Sequence, residues 1–237
     1  MPKTKETMVK MEVSDGTQMS AYMARPEAGA KAGLLVFQEA FGVNHHIMNI
    51  TRRLAEEGYV CLAPELFHRT APVGFEGDYN NFPALKPHFD ALNDEALLAD
   101  TRACHEWLQK EAGLKPENIG AIGFCMGGKV AFLANAKIPL GAMVSFYGSR
   151  ILTSIGLSQE QRAPLLLLWA GQDSSAPPEK IQELHTALRS AGKPFIQAEF
   201  SQAQHGFNCD ERPAYHPDSA AVAWAMTLAF LKRNLAR

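Results

Sequence analysis

The sequence predicts a single-domain α/β fold: a mostly parallel, doubly wound sheet with helices on both faces and an antiparallel hairpin at its start. Three observations carry this. From residue 33 onward, short apolar runs of strand length alternate with stretches of helical periodicity, the pattern of repeated βαβ units. The run Ala32–Phe37 is apolar throughout, as a strand covered on both faces requires. The third is Asn118–Ala131, which reads as a short strand, a turn framed by Gly123 and Gly127, and a helix, with Cys125 at the apex.

Taken in order, Thr4–Val13 and Thr17–Arg25 flank Ser14-Asp15-Gly16, a turn signal. Met19, Ala21 and Met23 alternate with Gln18, Ser20 and Tyr22, so these two segments read as a hairpin. Ala32–Phe37 is the next strand, and it runs into Gln38-Glu39-Ala40-Phe41-Gly42-Val43. A helix is predicted over His46–Gly58, where Ile47, Ile50, Leu54 and Ala55 recur at helical spacing. Tyr59–Pro64 is a strand. The stretch from Leu66 to about His88, rich in Pro, Gly and Asn, reads as an irregular loop of the length that lids over sites have. Asn93 or Asp94 caps a long helix ending near Lys110.

After the turn at Cys125 the expected elements are a helix (Gly127–Ala136), strands at Gly141–Tyr147 and Pro164–Ala170, a helix (Pro178–Ala191), a strand (Phe195–Phe200) and a last helix (Asp218–Leu235). No linker or repeat interrupts 1–237, so one domain is expected.

Composition narrows the function. With 23 basic and 25 acidic residues the net charge is -2, which leaves no basic footprint for nucleic acid and no polybasic membrane anchor. No apolar run approaches membrane-spanning length. The first residues lack the apolar core of a signal peptide. The four cysteines show no Cys-x-x-Cys pairing, so neither a zinc cage nor a disulfide framework is expected, and free thiols suit the cytoplasm. The partner expected is a small molecule; monomer and dimer both remain open.

In such a sheet, active groups gather at the carboxyl ends of strands. Glu39, Cys125, Asp173 and His205 all fall there. Gly-x-Cys-x-Gly is the thiol form of the turn that thrusts a nucleophile out between strand and helix. Nucleophile, acid, histidine is the chain order of the α/β-hydrolase triad. His205 would take the thiol proton and return one to the leaving group; Asp173 would orient the imidazole. Taken singly, each has a plainer role: Cys125 as a small buried hydrophobe, Asp173 as a helix cap, Glu39 as a loop charge. Of the other histidines, His105 and His185 are expected on solvated helix faces and His216 at a helix start. Near the sulfur, the Glu39 carboxylate would oppose thiolate formation and keep the resting thiol protonated. Backbone N–H groups of Met126 and Ala40 would receive the oxyanion.

Gln38-Glu39-Ala40-Phe41-Gly42-Val43-Asn44, Gly123-Phe124-Cys125-Met126-Gly127-Gly128, Gly171-Gln172-Asp173 and His205-Gly206-Phe207 together resemble the dienelactone hydrolase family, over nearly the whole chain and in order. The resemblance implies an α/β-hydrolase fold, a Cys-His-Asp triad, a glutamate partnering the resting thiol and hydrolysis of a cyclic enol-lactone, without metal or organic cofactor. Family enzymes that act on the dienelactone carry two arginines that clamp the substrate carboxylate. Here residues 82–93 hold only Lys86 and His88, and Arg212 lies further past His205 than the family arginine, flanked by acids. Arg69, Lys86, Phe207 and Arg212 are the substrate-binding candidates, and only weak preference for a carboxylate-bearing substrate is expected. A broader carboxylesterase or thioesterase is the alternative function, and a non-catalytic binding protein of the same fold the third.

Overall fold

A computed structural model describes residues 3–235. Eight strands form one sheet in the order β1-β2-β4-β3-β5-β6-β7-β8. The strands are β1 (Thr4–Glu12), β2 (Gln18–Pro26), β3 (Ala32–Phe37), β4 (Tyr59–Pro64), β5 (Ile119–Phe124), β6 (Ala142–Phe146), β7 (Leu165–Ala170) and β8 (Phe195–Phe200). The β1–β2 hairpin and the β2–β4 pair are antiparallel; every pair from β4 across to β8 is parallel. Strands β3 to β7 are buried at every residue, because helices cover both faces. The edge strands differ, since β1 and β8 each leave half or more of their residues partly or fully exposed.

The helices are α1 (His45–Glu56), α2 (Phe82–Asp90), α3 (Asp94–Glu111), α4 (Met126–Lys137), α5 (Pro178–Ser190) and α6 (Pro217–Leu235). Two apolar layers result. One packs Leu35, Phe37, Leu62, Ala121, Met143 and Trp169 against α3, α4 and α5. The other packs Leu34, Val36, Ile122, Val144 and Leu168 against α1 and α6. Successive strand residues thus feed opposite layers, as the two-residue period dictates.

Local signals place the helix ends. Asn44 caps α1 by accepting from the Ile47 N–H at 3.2 Å, and Asn93 caps α3 by accepting from Ala96 at 2.9 Å. Helix α2 corrects the expectation of an irregular chain from 66 to 88. Pro83 stands in its first turn, where no N–H is needed, and Pro87 costs one internal hydrogen bond. Buried Leu85 anchors the helix, packing where Gly77 leaves no Cβ. Two other expectations also fail: His105 and His185 are buried at 5% and 4% exposure. His105 faces inward because its Nε2 meets the Pro139 carbonyl at 2.9 Å, and His185 stacks on Phe195. Among the described residues, no helix is long and apolar enough to cross a membrane.

Candidate active site

The site stands at the carboxyl ends of β3, β5, β6, β7 and β8. Cys125 follows β5 directly and opens α4, with φ 55° and ψ -117°. That is a costly conformation for a non-glycine residue and one that tight nucleophile turns exploit. The turn exists only because its flanks lack side chains. A Cβ on Gly123 would stand 1.9 Å from the Gly127 carbonyl oxygen, and one on Gly127 would stand 2.4 Å from that of Phe37. Cys125 is half-buried, whereas Cys61, Cys104 and Cys209 are wholly buried.

Asp173 and His205 come from the loops after β7 and β8. Asp173 Oδ2 accepts from His205 Nδ1 at 2.6 Å, and its Oδ1 accepts from the Ser175 backbone N–H at 2.9 Å and the Ser175 hydroxyl. It does not cap α5, which begins after Pro177. Burial works against both charges, but the local partners prevail. Bonds from His205 and Ser175 hold the Asp173 carboxyl below its usual range. Burial would lower His205, yet Asp173 and Cys125 together lift the imidazolium to about 10. The Tyr147 ring lies against the imidazole, with centroids 5.2 Å apart. His216, by contrast, accepts from the Ser219 N–H at the start of α6.

Glu39 follows β3 and is 1% exposed. Neither carboxylate oxygen has a hydrogen-bond partner, and the nearest cation is Arg212, whose Nη1 stands 3.5 Å from Oε1. Gln38 fixes the backbone here: its Nε2 donates to the Glu39 carbonyl at 3.2 Å and its Oε1 accepts from Leu66 at 3.1 Å. Ala40 is buried beside it, and Met126 begins α4, where the first N–H groups have no helical partner. The loop before α2 clasps this segment, with the Gly77 N–H donating to Phe41 at 2.9 Å and Tyr79 packing edge-on against the Phe41 ring.

The four substrate-binding candidates separate. Arg212 turns back into the site because Gly206, at φ 89°, makes room: a Cβ there would stand 2.4 Å from Arg212 Nη1. Its guanidinium lies over the rings of Phe41 and Tyr79. The other three are corrected. Arg69 spends its guanidinium on Asp15 and, bidentately, on the wholly buried Asp100. Lys86 is exposed and pairs with Asp90 one turn along α2. Phe207 is 0% exposed and belongs to the aromatic packing of Phe146, Tyr147 and Phe200.

Several residues around the site carried no motif. Tyr79 Oη accepts from Asn44 Nδ2 at 2.7 Å and donates to Glu211 at 3.1 Å, while Cys209 Sγ lies 3.5 Å away. His46 is buried near Asp210, and burial pushes its pKa down. Among the described residues no cluster of His, Cys, Asp and Glu could hold a metal ion.

The model of the dienelactone hydrolase family matches residues 19–235, a span that contains β3 to β8, all but the first residue of β2, and all four strand-end groups. The chain belongs to the dienelactone hydrolase family. It is thus a hydrolase of the carboxylic-ester type. A Salmonella typhi protein named "Putative carboxymethylenebutenolidase" is 37% identical over 230 residues, covering 91% of this chain and 83% of its own. The Escherichia coli (strain K12) protein of the same name is 36% identical over 235 residues, covering 93% and 84%. Among solved structures, that of a "Putative Dienelactone Hydrolase" from Klebsiella pneumoniae subsp. pneumoniae MGH 78578 superposes with a TM-score of 0.86 at 30% identity. It covers 98% of this chain and 99% of that one.

Proposed function

We propose that this dienelactone hydrolase family member cleaves lactones or activated esters through a Cys125 thioester, with His205 and Asp173 completing a triad. The observation that carries the reading is the 2.6 Å His205–Asp173 bond on the same sheet rim as Cys125, which follows β5 and is the one thiol among the described residues that is not wholly buried. A hydroxyl-free mechanism of this kind suits a thiol, which ionises more readily than serine.

The raised affinity of His205 for its proton supports a division of labour. Asp173 and the Cys125 sulfur both favour the imidazolium, so the His205 proton is best placed for delivery to the leaving oxygen. Glu39, buried and without a hydrogen bond, is the acceptor we assign. The thiolate attacks the carbonyl carbon, and the Met126 and Ala40 N–H groups receive the oxyanion. As the carbon–oxygen bond breaks, the leaving oxygen takes the proton from His205. The neutral imidazole then removes a proton from water, which attacks the thioester and releases the acid. The departing thiolate recovers its proton from Glu39.

Arg212 gives the substrate its character. Its placement beside Glu39 supports an acidic substrate better than the sequence alone did. The substrate we assign is a small carboxylate-bearing lactone or ester, and the protein's free cysteines suit a cytoplasmic setting. The test is a panel of lactones and p-nitrophenyl esters, with mass spectrometry of the quenched enzyme. A single acyl adduct on Cys125 is expected. Turnover by Cys125→Ala near the wild-type rate would remove the thiol from the mechanism, and activity on simple esters alone would favour the broader esterase.

A further inference from the structure

Tyr147 is the first residue after β6, and three features set it apart. Its backbone adopts φ 38°, one of two positive values among the described non-glycine residues, the other being that of Cys125. For a bulky side chain that conformation is strained, and such strain persists where the surroundings enforce it. The residue is wholly buried, held by Phe124, Phe146, Phe207 and the His205 ring. Its hydroxyl nevertheless has no hydrogen-bond partner. Burying an unpaired hydroxyl is destabilising, so a phenylalanine here would fold better.

The surroundings of that hydroxyl suggest what it is for. Burial holds the phenol proton on, and the carboxylate of Glu39 acts in the same direction. Glu39, in turn, has two buried oxygens without a donor. Its charge is felt by Tyr147, Tyr79, Cys209 and His46, and Arg212 stands 3.5 Å away. Tyr79 is not available as a donor, because its proton goes to Glu211. An unspent donor and an unspent acceptor are therefore buried on the same rim: the Tyr147 ring lies against His205, and Arg212, which packs over Gly206 beside that histidine, reaches Glu39.

We propose that Tyr147 is a positioning residue whose hydroxyl serves as the hydrogen-bond donor to Glu39 during turnover, setting how readily that carboxylate takes and returns the thiol proton. A donor to a carboxylate favours its charged form. A hydroxyl that donates to Glu39 therefore helps it give the proton back at the end of the cycle. The inference rests on the assignment of Glu39 as proton acceptor.

Tyr147→Phe, which keeps the ring against His205, is the test, read in wild-type and Glu39→Gln backgrounds. The measurements are kcat, thermal unfolding and the pH dependence of iodoacetamide alkylation of Cys125. In the wild-type background, Tyr147→Phe is expected to lower kcat about tenfold and move the Glu39-dependent limb of the alkylation profile up by about one pH unit, the scale of a charge-assisted hydrogen bond. Tm should stay level or rise. In the Glu39→Gln background the same change should do nothing further to kcat or the profile, because residues acting through one another are not additive. An unchanged profile and kcat, or an equal effect in both backgrounds, would overturn the proposal. Should Glu39→Gln itself leave alkylation and kcat unaltered, the assignment of Glu39 would fail, and that outcome is read without Tyr147.

Discussion

At the scale of single residues, the site depends on charges placed where water cannot screen them. His205 shows the consequence for pH. Its proton is held up to about 10 in the folded protein, against about 6.5 for a free imidazole. The folded pKa is the higher one, so this contact stabilises the fold fully below about pH 6.5 and loses that contribution as pH rises through 10. Thermal unfolding should therefore show a falling Tm between neutral and alkaline pH that flattens in His205→Gln. Turnover should fall over the same limb, because the leaving group loses its proton donor; a kcat that climbs through pH 10 would refute the role. If the proposed triad holds, His205→Ala should cost more activity than Asp173→Ala, since an acid in that place only orients and stabilises the base. Arg212 yields a separate expectation. Arg212→Ala should reduce kcat/KM for an acidic lactone at least tenfold relative to its methyl ester, the value of about one charge-assisted bond. Equal losses on both would show that Arg212 serves the protein and not the substrate.

At the scale of elements, the loop between β4 and α2 is held by pieces that sequence motifs do not announce. Arg69 bridges Asp15 in the first hairpin and Asp100 in α3, and His68 adds a contact to Asp100 at 3.1 Å. Asp100 is wholly buried, so Arg69→Ala would leave its charge undercompensated, at a cost of about 3 kcal/mol. Urea unfolding should report that loss, while kcat/KM per folded enzyme on a neutral ester stays near wild type. A selective loss on acidic substrates instead would return Arg69 to the substrate. The strands, α1 and α3–α6 were legible because buried parallel strands must be apolar at every position and helices must show a 3.6-residue period. Helix α2 was not, because Pro83 and Pro87 speak against helix locally and only the packing of Leu85 reveals why it forms. The elbow was legible because its two glycines are required by contacts under 2.5 Å. The inward turn of Arg212 was hidden, since it depends on the shape of the chain between Gly206 and Arg212 and not on spacing.

At the scale of the whole molecule, the sheet grades from a doubly covered centre to exposed edges. Amides of β3, β5 and β6 should exchange hydrogen only through global unfolding, and those of β1 and β8 by local opening at lower free energy. Uniform protection across all eight strands would contradict this gradient. The groups assigned to the proposed reaction all spring from one rim of that rigid centre. Tyr147, Tyr79 and Cys209 sit on the same rim, yet nothing in their sequence neighbourhoods marks them, because their significance lies in which atoms they leave without partners. The distribution of the four sulfurs across the molecule has a practical side. Three are sealed inside the protein and one is half-buried. The native enzyme therefore offers a single conjugation handle, positioned at the strand-end rim beside Asp173 and His205. A fluorophore attached there under native conditions would report the concentration of intact molecules.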